Sequence, residues 1–89
     1  MALLGGGGYA EEVVAPEACV MATPSGLTDL QAAAVPETFA TSYLNLFQLG
    51  ELEHGEIALI HGGSGGVGTA AIQLAAAAGA LALVTAGSD

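Results

Sequence analysis

The residues best placed to do chemistry are glycines. Gly63-x-Gly65-x-x-Gly68 lies within Gly62-Gly63-Ser64-Gly65-Gly66-Val67-Gly68 and has the spacing of a dinucleotide fingerprint. Each glycine has a separate task. The first permits a tight strand-to-helix turn, and the second lets backbone amides reach a pyrophosphate with no Cβ in the way. The third lets the helix pack close to the strands. Amides at the helix start then face the phosphates, and the helix dipole favours negative charge there. Ser64 is a further candidate, either donating to phosphate or solvating the turn. The bland alternative is a glycine-rich turn with no ligand.

The spacing carries weight only if the right elements surround it. Ile57-Ala58-Leu59-Ile60-His61 is an apolar run that predicts a strand, and an alanine-rich helix follows the loop as far as Gly79. Leu81-Ala82-Leu83-Val84-Thr85 predicts the next strand. The helix is expected to bury Val67, Ala71, Leu74 and Ala78. Strand, glycine loop, helix and strand in a unit of about 30 residues form the setting the fingerprint requires.

Upstream, Tyr9 to Ala15 reads as a short strand ahead of Pro16, and Ala18 to Ala22 as a second brief one. Thr28-x-x-Gln31 is a capping box opening a short helix through Ala34. Pro36 suits the first turn of another helix, which runs to Leu49 and stops at Gly50. Phe39, Tyr43, Leu46 and Phe47 recur at helical spacing on it and predict an apolar face. The expected fold class is α/β: a partial Rossmann-type βαβ unit preceded by a short β segment and two helices. The expected divisions are 1–27 (β and extended), 28–50 (linking helices) and 51–89 (the first βαβ of a dinucleotide-binding domain).

Composition restricts the partners. The chain has 89 residues, 9 acidic side chains and no Lys or Arg, giving a formal net charge of −9. Nothing can neutralise nucleic-acid phosphates or attach to an anionic membrane. The 53% hydrophobic fraction with few aromatics requires a core of Ala, Leu, Val and Ile. From Ile57 to Ser88 no residue is formally charged apart from His61 when protonated, which is length enough for a bilayer. Its Ala and Gly content, its glycine loop and the absence of positive flanks argue against a membrane hairpin. Cys19 stands alone, which excludes an intrachain disulfide and a Cys-based zinc cluster. With no basic n-region at the start, a cytoplasmic location is expected.

In order, Gly6-Gly-Gly-Tyr-Ala-Glu, Val14-Ala-Pro-Glu, Ala32-Ala-Ala-Val-Pro-Glu-Thr-Phe-Ala-Thr, Gly55-Glu and the block from Leu59 to Ala75 resemble the zinc-independent quinone oxidoreductases. These zeta-crystallin-like enzymes are part of the medium-chain dehydrogenase/reductase superfamily. The resemblance implies a GroES-like catalytic domain ending near residue 27 and a Rossmann domain after residue 50. It implies NADPH as cofactor, no metal, and hydride delivery to a quinone or enoyl acceptor. The cofactor-binding set it implies is Thr41, Gly63, Ser64, Gly65, Gly66, Val67, Gly68 and Ser88. Thr41 would lie near the nicotinamide, and Ser88 would stand where the adenosine ribose is read. No acidic residue ends the second strand before Ser88, which favours NADP over NAD, although Asp89 follows at once.

The departures are equally visible. Members place Lys or Arg near Ala76 and Leu81 and just beyond Asp89, and none is present here. The later parallel strands and the substrate cleft are also missing. The chain is therefore expected to need a second copy or the remainder of an enzyme, and to be a poor catalyst alone. The alternative is a non-catalytic phosphate-binding or purely structural fragment. No catalytic residue is assigned. His61 reads as a packed or solvated imidazole, His54 as a surface residue, Tyr43 as core and Cys19 as a small apolar side chain.

Overall fold

The structure, a computed structural model, describes residues 1–87. Its backbone divides into two compact units, Met1–Glu37 and Thr38 onward.

The first unit is mostly irregular. A 3-10 turn covers Glu17–Cys19, and strand-like pairing among its described residues is confined to an isolated antiparallel bridge between Ala2 and Val20. The expected strand at Tyr9 to Ala15 does not form. β-branched residues favour a strand only when a neighbour pairs with them, and here Tyr9 and Val14 are fully exposed. The second expected strand, at Ala18 to Ala22, is replaced by the 3-10 turn and that single bridge. Helix α1 (Asp29–Ala33) opens with the predicted capping box: the Gln31 amide donates to Thr28 Oγ1 at 3.3 Å, and the Thr28 amide donates to Gln31 Oε1 at 2.9 Å.

Helix α2 (Val35–Tyr43) continues as a π-helical segment, Leu44–Leu49, that ends at Gly50. The Gly50 amide closes it by donating to the Asn45 carbonyl at 3.0 Å. A Cβ on Gly50 would stand only 2.8 Å from that same oxygen, so the wide last turn depends on glycine. The expected apolar face is only partly buried. Tyr43 is 51% exposed and rests against Phe47 at a ring-centroid distance of 5.1 Å, so it is not a core residue. The fully buried position beside it is Ser42.

Strands β1 (Ile57–His61) and β2 (Leu81–Thr85) have the predicted bounds and pair in parallel, Ile57 with Leu81 through His61 with Thr85. Helix α3 (Gly66–Ala77) connects them and packs on both. Side chains alternate between faces along a strand. Ala58, Ile60 and Ala82 are the better covered set, whereas Ile57, Leu59, Leu81 and Leu83 stand exposed on the other face. Of the expected set on α3, Ala71 is buried, Leu74 and Ala78 are half-buried and Val67 is exposed, and the other buried positions are Gly68, Ala70 and Ala75. Small residues at 68, 71 and 75 allow a close approach, and that rotates Val67 to the outside, where it is 45% exposed. The result is an α/β fold, a partial Rossmann-type βαβ unit. Among the described residues no helix is long and apolar enough to cross a membrane.

Candidate functional site

The loop after β1 is set by its own hydrogen bonds. Gly62 takes φ +71°, a left-handed conformation that an L side chain seldom adopts, and this turns the chain off the strand. Thr85, at the end of β2, then holds two successive amides. Gly62 N–H donates to Thr85 Oγ1 at 3.3 Å, and Gly63 N–H donates to the Thr85 carbonyl at 2.9 Å. The Gly65 amide turns back to the Gly62 carbonyl at 3.0 Å. His61 Nδ1 lies 3.1 Å from Thr85 Oγ1, which ties the ends of both strands together. His61 is thus an exposed, hydrogen-bonded strand-end residue.

Two glycines are required by close packing. A Cβ on Gly63 would lie 2.8 Å from Val84 Cβ, a fixed atom of the neighbouring strand. A Cβ on Gly68 would collide with the Gly62 carbonyl oxygen and lie 2.8 Å from Gly63 Cα. The third glycine of the fingerprint therefore presses the first turn of α3 onto the loop itself, backbone on backbone.

The turn keeps some of its donors free. Gly62, Gly63 and Gly65 amides are spent within the fold, and the first helical bond is Thr69 N–H to the Gly65 carbonyl at 2.8 Å. Gly65 is the N-cap and supplies no side-chain cap. Within this described turn the amides of Ser64, Gly66, Val67 and Gly68 have no acceptor, and the last three stand together at the helix start. These are the orphan donors of a helix start, lying at the positive end of a three-turn dipole. Three amides at the head of a helix, with no side chain above Gly65 or Gly66, fit an anionic phosphate group.

The other candidate residues are placed less centrally. Ser64 is exposed at the tip of the loop. Thr41 is half-buried on α2, and its carbonyl accepts from Asn45 Nδ2 at 2.8 Å. Its neighbours on α2 meet the loop: Thr38 Cγ2 would lie 3.2 Å from a Cβ on Gly66, and Ser42 Oγ is 3.0 Å from the Val67 carbonyl. Ser88 lies outside the described residues. Ser42 has no signature in the sequence, because one serine in an apolar helical pattern carries no signal of what it will face. His54 closes the opposite end of the unit, its ring against Gly79, which has φ +74°. Among the described residues no three His, Cys, Asp or Glu side chains gather as a metal-ligand group.

The strand, loop and helix together form the strand–turn–helix corner of a partial Rossmann-type unit. No family model matches the sequence. Individual proteins do. The quinone oxidoreductase from Thermus thermophilus, solved also in complex with NADPH, superposes with a TM-score of 0.85 at 40% identity. That match covers 96% of this chain and 28% of the other. The CurK enoyl reductase gives a TM-score of 0.71 at 43% identity, over 76% of this chain and 20% of that one. In sequence, the chain is 47% identical over 74 residues to the highly reducing polyketide synthase azaB of Aspergillus niger. That stretch is 83% of this chain and 3% of the synthase. The chain thus spans 20% to 28% of the reductases it superposes on. It is similar to one piece of the enoyl and quinone reductases, and that piece contains the glycine loop.

Proposed function

We propose that the chain supplies the dinucleotide-binding share of a nicotinamide-dependent reductase. Gly66, Val67 and Gly68 would hold the pyrophosphate through their amides, with Gly63, Ser64 and Gly65 shaping the approach. The observation that carries the reading is the run of three unclaimed amides at the head of α3. The similarity to a quinone oxidoreductase solved with NADPH supports the same cofactor here. The β2 end, Thr85-Ala86-Gly87, presents no carboxylate to repel a 2′-phosphate, which favours NADPH over NADH.

When bound, the nicotinamide supplies the hydride; the residues of this chain bind and orient it. The acceptor we assign is an activated double bond of the enoyl or quinone type, since the similar structures are reductases of those two classes. Within that group, the finer reading is the zinc-independent quinone oxidoreductases. In this reading Thr41 would contact the nicotinamide and Ser88 the adenosine ribose, and the chain would divide after residues 27 and 50 into a catalytic-domain end, linking helices and the cofactor domain.

Binding should carry an unusual salt signature. Local amides attract phosphate, whereas the field of nine carboxylates and no cationic side chains repels it. Raising salt from 10 to 150 mM shortens the screening length from about 30 Å to about 8 Å. The repulsion weakens more than the short-range amide bonds do. NADPH affinity, followed by its own fluorescence, is therefore expected to tighten about two- to fivefold over that range. Weakening with salt, as in a site built from Lys or Arg, would contradict the amide-cradle reading.

A further inference from the structure

We propose that Ser42 is a positioning residue for this cradle: by holding the Val67 carbonyl, its hydroxyl aims and polarises the Gly68 amide. The inference rests on the dinucleotide-binding reading above. Ser42 is 1% exposed, the one polar side chain recorded as buried among the described residues. Its Oγ lies 2.7 Å from the Thr38 carbonyl and 3.0 Å from the Val67 carbonyl, so its one proton is shared between two acceptors. The first contact is the ordinary back-bond of a serine within a helix. The second reaches 25 residues along the chain, into the first turn of α3.

The Val67 carbonyl and the Gly68 N–H are opposite ends of one planar peptide unit. Fixing the carbonyl end fixes the direction of the amide, which is one of the three unclaimed donors. Hydrogen bonding into the carbonyl also draws electron density from the nitrogen, which makes the N–H a stronger donor to an anion. Thr38, one turn before Ser42, closes on the adjacent cradle residue, Gly66, through its methyl group. Helix α2 therefore addresses successive residues of the anion site from its buried side, and a hydroxyl at position 42 does what an alanine could not.

The test uses the 15N-labelled full chain and the variants Ser42→Ala and Ser42→Cys, the second keeping the side-chain size with a much weaker donor. The free chain reports the Gly68 amide shift, with Ile60 and Leu83 amides as references for the sheet. Titrations then report affinity for NADPH and for inorganic pyrophosphate. The expected result is an upfield move of the Gly68 proton in both variants, unmoved Ile60 and Leu83 amides, and affinity for both ligands reduced about two- to tenfold. An unchanged Gly68 shift with unchanged affinity in Ser42→Cys overturns the inference and leaves Ser42 as a back-bond to Thr38. Shifts that reach Ile60 and Leu83 equally make Ser42 a general packing residue, which also overturns it. If the unaltered chain binds neither ligand, the dinucleotide reading fails and the inference with it, a result distinct from the other two.

Discussion

Gly68→Ala is expected to damage both the fold and the binding site, and Gly66→Ala far less. The alanine Cβ at position 68 would overlap the Gly62 carbonyl and crowd Gly63 Cα. Both are backbone atoms of a loop already pinned by Thr85. No flexible side chain can move aside, so α3 must lift from the loop. Overpacking of this kind costs about 3 kcal/mol, a large part of the roughly 5–15 kcal/mol that a small domain holds. At Gly66 the nearest atom is the Thr38 methyl carbon at 3.2 Å, the end of a side chain that can yield a little. Urea unfolding followed by circular dichroism should therefore give a much lower midpoint for Gly68→Ala than for Gly66→Ala. Equal midpoints would mean that α3 does not depend on close contact at its first turn.

Gly65→Asp is expected to separate binding from folding. Gly65 has φ −79° and ψ 167°, ordinary extended backbone, and its Cβ position meets only the Gly62 oxygen at 3.4 Å. Aspartate is a favoured N-cap in that conformation and gains a few tenths of a kcal/mol over glycine by accepting from the Val67 or Gly68 amide. The same carboxylate would occupy the anion's place. Repulsion between unit charges about 4 Å apart lies between about 1 kcal/mol in water and about 4 kcal/mol near a protein surface. Each charge-assisted bond lost by the phosphate adds about 1.5–3 kcal/mol. Affinity for NADPH should fall at least about a hundredfold while the unfolding midpoint holds or rises slightly. Retained affinity in a folded Gly65→Asp chain would place the ligand somewhere other than the head of α3.

How far the sequence led depends on how local the information is. The bounds of β1 and β2 were legible because each is a four-residue apolar run closed by one polar residue, with glycine within two positions of both ends. The helix cap at Thr28 was legible because Thr and Gln at that spacing satisfy each other within one turn. The loop was legible for the same reason at Gly65 and Gly68, which meet Gly62 and Gly63 a few residues away, whereas Gly63 is fixed by Val84 and Thr85 on the neighbouring strand. What failed was non-local. The Tyr9 to Ala15 segment has strand propensity but no partner strand within reach of its unit. The face of α3 was legible in part: Ala71 is buried as its spacing predicts, but that spacing also favours Val67, which the contact at Gly68 turns outward. Periodicity marks Tyr43 as core and gives no signal at Ser42, yet the position that meets the loop is the serine. Such a choice is made by the element across the interface, and a single sequence does not display it.

The three amides at the start of α3, proposed as a dinucleotide phosphate site, can be followed one by one by titrating the 15N-labelled chain with NADPH and recording every backbone amide. The expected result is saturable downfield movement concentrated at Gly66, Val67 and Gly68, with one dissociation constant for all three. Gly62 and Gly63, whose amides are held by Thr85, should move much less. Absence of any shift at millimolar NADPH, or saturable shifts confined to residues away from this turn, would mean that the head of α3 is not the phosphate site.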